Sequence, residues 1–229
     1  MSVQGKIRQI ITLLASEYGK PVFQPDHDPL STLVKTILSQ NTSDVNSHRA
    51  FASLQHRFTT WEDVAEADVH KIVSAIRVGG LAEIKANRIK QVLSQIKEKR
   101  GKLELDFLPD LPLVEAKEWL RQLPGVGTKT ACCVLLFSFG LPALPVDTHI
   151  LRVSKRLGLV GTKASAEEAH QVLEGLVPAD SVYRFHVLMI EHGRRTCKAQ
   201  RPQCLRCVLG GLCPSYEVFT GRKKETITY

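Results

Sequence analysis

The chain has 229 residues, 43% of them hydrophobic and 24% charged, enough to bury a sizeable core as one large domain or two small ones, with the composition of a folded soluble protein. A formal charge of +8 and a pI near 9.3 favour a polyanionic partner, nucleic acid being the commonest. The N-terminal apolar run is too short to span a bilayer and lacks the core and cleavage site of a signal peptide, so a cytoplasmic protein without a membrane partner or structural disulfides is expected.

From the N-terminus, Ile7, Ile10, Ile11 and Leu14 recur at helical spacing, as do Leu30, Leu33, Val34, Ile37 and Leu38. A polar corner follows at Gln40 to Ser43, with Ser43 or Asp44 placed to cap the next helix. The segment "VGGLAEIKANRIK" then projects Leu81 from a glycine turn ahead of a basic helix. Between residues 85 and 102, Lys85, Arg88, Lys90, Lys97, Lys99, Arg100 and Lys102 are set against Glu98 alone. Leu120 and Leu123 end another helical pattern, and Val182, Phe185, Leu188 and Met189 mark one more. Breaks rich in Pro, Gly or Asp delimit about ten helices. Alternating strand patterns and fixed-period repeats are absent, so an all-α protein of packed helices is predicted. Two further basic groups, Arg152 to Lys163 and Arg194 to Arg206, suit polyanion contact or an ordinary solvated helix face.

The most informative stretch is "LPGVGTKTACCVLLFSF", residues 123–139. Pro124, Gly125 and Gly127 force a tight turn between two helical patterns, and glycines let a backbone approach a ligand closely. Unpaired N–H groups at the start of the second helix suit a phosphate oxygen. Val126 is placed as an apolar peg, while Cys132 and Cys133 read as small buried hydrophobes. The stretch resembles the helix-hairpin-helix motif, which holds DNA by its backbone; a plain helical connection is the alternative.

Lys129 falls in the first turn of that second helix, where the helix dipole disfavours a cation. An amine that gives up its proton there is a nucleophile; the competing role is phosphate binding. Asp147 opens the pattern Ile150, Leu151, Val153, Leu157, which makes it a helix N-cap, a role compatible with facing a cavity. Toward the C-terminus, "CKAQRPQCLRCVLGGLC" gives the spacing Cys-x6-Cys-x2-Cys-x5-Cys. Metal ligation suits clustered cysteines in a reducing compartment, and the spacing alone leaves zinc and iron–sulfur both open.

The combination of "LPGVGTKTA", "VDTHI" and the four cysteines resembles the endonuclease III family of DNA glycosylases, over nearly the whole chain from the first helix to Cys213. The resemblance implies two all-α domains, 23–140 with the hairpin and 1–22 plus 141–229 with a cluster loop at 197–213, and a substrate cleft between them. It implies Lys129 as nucleophile, Asp147 as catalytic carboxylate, and a [4Fe–4S] cluster on Cys197, Cys204, Cys207 and Cys213. The activity implied is excision of oxidised pyrimidines from duplex DNA through a lysine Schiff base, then nicking by β-elimination. The enzyme would act as a monomer on damaged bases or abasic sites in the nucleoid. Gln40, Asn41, Leu81, Gly125, Val126, Gly127, Thr130, His149, Lys198 and Arg201 are the expected DNA-contacting residues. One departure stands out: many members read Leu-Ser-Ala-Gln at the first corner, whereas this chain reads "LSQN", putting Asn41 in the place of the wedging glutamine and Gln40 one position earlier. The rivals are a pyrimidine-dimer glycosylase/lyase, a non-catalytic helix-hairpin-helix binding module and an iron–sulfur sensor. The tail "TGRKKETITY" reads only as a basic end.

Overall fold

In the computed structural model, which describes residues 2–222, every regular element is helical: twelve α-helices and five short 3-10 turns, with no strand among the described residues. The two helices beyond the expected ten fit α4 (Trp61–Glu66) and α12 (Tyr216–Thr220), which are too short to show a periodicity. No helix among the described residues is long and apolar enough to cross a membrane. Residues 223–229 of the basic tail lie outside the described residues.

The chain forms two compact units, Pro25–Leu141 and Met1–Gln24 with Pro142–Tyr229. In the first, α2 (Pro29–Ser39) starts at an Asp28 cap, whose carboxylate accepts the Ser31 N–H at 2.9 Å, with proline at the first helical position. Nine of its eleven residues are buried, so it is wrapped on all sides, as a helix apolar on every face must be. It packs against α8 (Thr128–Phe139), α3 (Asp44–Arg57) and α6 (Ala82–Arg100). Ser43 is the cap of α3, accepting from the Asn46 N–H. Cys132 and Cys133 are buried in α8. The unit is completed by α4, by α5 (Val69–Ile76) against α6, and by α7 (Leu113–Arg121) against α8.

In the second unit, α1 (Val3–Tyr18) buries Ile7, Ile10, Ile11 and Leu14 and packs against α10 (Ala166–Leu176) and α11 (Val182–Arg195). These close on α9 (Thr148–Arg156). A capping box fixes the start of α10: Ser165 accepts the Glu168 N–H while Glu168 accepts the Ser165 N–H. After α11 regular structure gives way to two 3-10 turns, Cys204–Arg206 and Gly210–Leu212. Between Cys197 and Cys213 only Leu209 and Gly210 are buried.

Candidate functional site

In the Pro25–Leu141 unit the hairpin runs from α7 to α8. Its turn closes with Val126 N–H on Leu123 C=O at 3.1 Å and needs Gly125 at φ +70°, a left-handed conformation costly for other residues. Val126 is 5% exposed, the peg expected of it. Gly127 is the cap residue of α8 and has no side chain to cap with. Lys129 is the second residue of α8; it is half-buried, and its amine makes no hydrogen bond or ion pair among the described residues. Thr130 is only 4% exposed. Expected at the DNA surface, it is instead turned into the packed side of α8, leaving its backbone rather than its hydroxyl for an external ligand.

Two exposed corners lie on the same unit. Asn41, after α2, has φ +52°, and Leu81, ahead of α6, has φ +50°; Leu81 is 51% exposed. Left-handed geometry at an asparagine is common, whereas at a leucine it is strained. Gln40 differs from its neighbour in being held: Arg88 Nη1 donates to its Oε1 at 2.6 Å, and its Nε2 reaches the Gly125 carbonyl at 3.5 Å. The structure therefore brings the first corner and the hairpin together through Gln40, which Arg88 holds.

In the other unit Asp147 caps α9, its Oδ1 accepting the Ile150 N–H at 2.7 Å. His149, half-buried, pairs through Nδ1 with Arg152 Nη2 at 3.1 Å. Arg152 also donates to the carbonyls of Gly193 at 2.9 Å and Cys197 at 3.0 Å. Arg156 fastens the next carbonyls, Lys198 at 2.7 Å and Ala199 at 3.0 Å, and approaches Cys197 Sγ at 3.3 Å. Lys198 and Arg201 are exposed on the loop so held.

Cys197, Cys204, Cys207 and Cys213 line one cavity, whose other walls include Val153, Leu157, Leu209 and Phe219. Among the described residues no three His, Cys, Asp or Glu side chains are placed to hold a single metal ion. Burial pushes the Cys207 thiol up to about 12 and raises Cys204, each further raised by the neighbouring cysteines. His192, pulled down to about 4 by burial, stands 3.6 Å from Cys207 Sγ through Nε2 and 3.0 Å from the Tyr18 hydroxyl through Nδ1.

The sequence reading passed over Lys85, counted only as one of a basic run. It is 2% exposed, with Nζ donating to Leu38 C=O at 2.8 Å and Gly79 C=O at 2.9 Å. The signal was present: Lys85 continues the buried stripe of Ile89, Val92 and Ile96 at helical spacing. Arg152 and Arg156 likewise look like surface charge in the sequence, yet each bonds to a loop more than forty residues away.

Comparison with known proteins gives this arrangement its kin. Residues 34–179, more than half of the chain, match the family described as HhH-GPD superfamily base excision DNA repair protein. An Arabidopsis thaliana protein named as a DNA glycosylase is 41% identical over 165 residues, 72% of this chain and 56% of that longer protein. Endonuclease III of Thermotoga maritima is 38% identical over 209 residues, 90% of this chain and 93% of its own length. Among solved structures, a non-covalent endonuclease III–DNA complex superposes with a TM-score of 0.82 at 30% identity, covering 97% of this chain and all of that one. The chain belongs to the HhH-GPD superfamily of base excision DNA repair proteins.

Proposed function

We propose that the chain is a bifunctional DNA glycosylase and abasic-site lyase that removes oxidised pyrimidines from duplex DNA and nicks the strand, acting at the nucleoid. The observation that carries this reading is Lys129: an unpaired, half-buried amine in the first turn of a helix whose cap residue is Gly127 of the glycine hairpin. The helix end favours anions, so a phosphate held there would bring the deoxyribose within reach of the Lys129 amine. Similarity to a trapped endonuclease III–DNA covalent intermediate, at 31% identity and a TM-score of 0.81, supports covalent chemistry.

In this mechanism the Lys129 nitrogen forms a bond to C1′ as the bond from C1′ to the base breaks. The base leaves with that electron pair and takes up a proton. Positive charge builds on the sugar as this happens, and the Asp147 carboxylate offsets it with Oδ2 while Oδ1 remains the helix cap. The sugar ring opens, leaving a protonated Schiff base at C1′. That iminium acidifies the C2′ proton; its loss expels the 3′ phosphate and nicks the strand. Asn41 is the better candidate to enter the duplex at the first corner, since Gln40 is engaged by Arg88; Leu81 enters from the second. Exposed Lys198 and Arg201 are assigned to phosphates, with His149 held near Asp147 by Arg152.

The four cysteines are assigned to a [4Fe–4S] cluster. Four thiols on one cavity with apolar walls suit a metal centre, and the resemblance to endonuclease III favours an iron–sulfur core over a single zinc ion. Bound, the core would supply the positive charge that makes these thiols thiolates, against the upward push of burial.

The test is borohydride trapping on duplexes carrying thymine glycol, a pyrimidine dimer or an abasic site. Wild type should yield a covalent adduct on thymine glycol, and Lys129→Ala should lose it, with turnover down by more than about 10³-fold. Adduct on the dimer alone would reassign the substrate. Binding without any adduct would leave a non-catalytic DNA-binding protein.

A further inference from the structure

Lys85 takes a charge into the core without an ion pair among the described residues, and its three N–H groups meet two backbone carbonyls. Burying a cation costs free energy that a hydrophobic residue of similar volume would not, so packing alone does not account for it. Its partners are specific. Leu38 is near the end of α2, two residues before Gln40, and Gly79 ends the 3-10 turn Arg77–Gly79, two residues before Leu81. Carbonyls at such ends lack helical donors and carry partial negative charge, which an ammonium satisfies.

Arg88 lies one turn further along α6. Its guanidinium holds Gln40, and it lies so close to Gly125 that a Cβ there would sit 2.1 Å from its Nε. The Asn41 corner and the Leu81 turn are thus bonded to cations of one helix, and the Gly125 hairpin lies against the second of them and bonds to Gln40, which that cation holds.

We propose that Lys85 and Arg88 are positioning residues that join these turns, so that Asn41 and Leu81 enter the duplex as one unit. The inference rests on reading the chain as an enzyme that opens duplex DNA. Opening the stack costs a few kcal/mol, and a probe that gives way before the base stack transmits none of its binding energy to it. Two exposed residues in left-handed geometry keep their place only where the surrounding structure over-determines them. Lys85 does this from the carbonyl side of both.

The experiment uses the full chain and a duplex with a tetrahydrofuran abasic analogue opposite 2-aminopurine, whose fluorescence rises on unstacking. Lys85→Met should bind this duplex within about threefold of wild type, because the phosphate contacts remain, yet lose most of the fluorescence rise, about fivefold or more. Unchanged unstacking overturns the proposal, as does a parallel loss of binding and unstacking. Because Lys85→Met risks misfolding, a second measurement keeps the native lysine: the cycle Asn41→Ala, Leu81→Ala and the double variant. Joined probes predict that the double variant unstacks within about twofold of the worse single one; losses that multiply overturn the proposal. Unstacking is read without any covalent step, so a failure of borohydride trapping would refute the lyase reading while leaving this result to stand or fall by itself.

Discussion

The turns beside α6 and the cysteine loop after α11 are both irregular, and cations bonded to backbone carbonyls fasten both, yet they differ in what lies beneath. Under the turns are helices with filled apolar faces: α2 is buried over nine of eleven residues, and Lys85 continues a stripe of isoleucine and valine. Under the loop there is almost nothing, since only Leu209 and Gly210 are buried between Cys197 and Cys213. Its carbonyls are drawn to Arg152 and Arg156, and its thiols converge on one cavity. Where a core exists, a buried cation adds precision; where none exists, guanidinium groups, and the cluster proposed for the thiols, must supply the structure itself.

The largest effect that this contrast predicts comes from removing one of the proposed cluster ligands. Cys207→Ser should abolish iron and sulfide binding and cost stability on the order of several kcal/mol, with limited proteolysis cutting first between residues 197 and 213. First cuts in Pro25–Leu141 would break the comparison, because the loop would then be no more dependent on its ligands than the helices are.

The role proposed for Asp147 separates chemistry from scaffolding at one residue. Asparagine caps helices as well as aspartate, so Asp147→Asn should change unfolding free energy by less than about 0.5 kcal/mol while lowering base excision by about 10²–10³-fold. Asp147→Ala should lose as much activity and also about 1 kcal/mol of stability, because the Ile150 N–H is left without its acceptor. Denaturant titration beside excision kinetics reads both. Equal stability of the two variants would mean that the 2.7 Å cap contact contributes nothing in solution.

A smaller effect is expected at the hairpin, where two neighbouring glycines should behave differently. Gly125→Ala meets both a φ of +70° and the Arg88 side chain, so a loss of about 1–3 kcal/mol and weaker duplex binding are expected. At Gly127 a Cβ would meet nothing within 4 Å, so Gly127→Ala should stay within about 0.5 kcal/mol of wild type. Thermal unfolding of the pair gives the difference directly.

These contrasts also explain what could be read without coordinates. The faces Ile7–Leu14 and Leu30–Leu38 were legible because helical periodicity is local, as was the hairpin, whose glycines and proline carry their own geometry. The HhH-GPD family was legible for the same reason: its motifs are short and contiguous. Gln40 and Asn41 could not be told apart because what distinguishes them is Arg88, 48 residues away. The burial of Thr130 likewise depends on packing that no local pattern reports. Basic residues were the least legible class, since Lys85, Arg152 and Arg156 bond to carbonyls, and carbonyls leave no mark in a sequence.

The smallest predicted effect concerns the charge on Lys85 itself. Burial holds its ammonium below the ordinary value of 10.5. A lysine depressed in the folded state binds fewer protons there than in the unfolded chain, so stability rises with pH through the window between its folded value and 10.5. Below that window the cost of the buried charge is present in full; above it the cost is gone. Deprotonation need not undo the fastening, because a neutral amine keeps two N–H groups for two carbonyls, Leu38 and Gly79. Denaturant unfolding at pH 8 and near pH 10 should therefore show wild type gaining on Lys85→Met as pH rises, with 2-aminopurine unstacking retained. Parallel stability would mean that the core solvates this ammonium as well as water does, and the contrast between the filled helices and the bare loop would then narrow to one of packing alone.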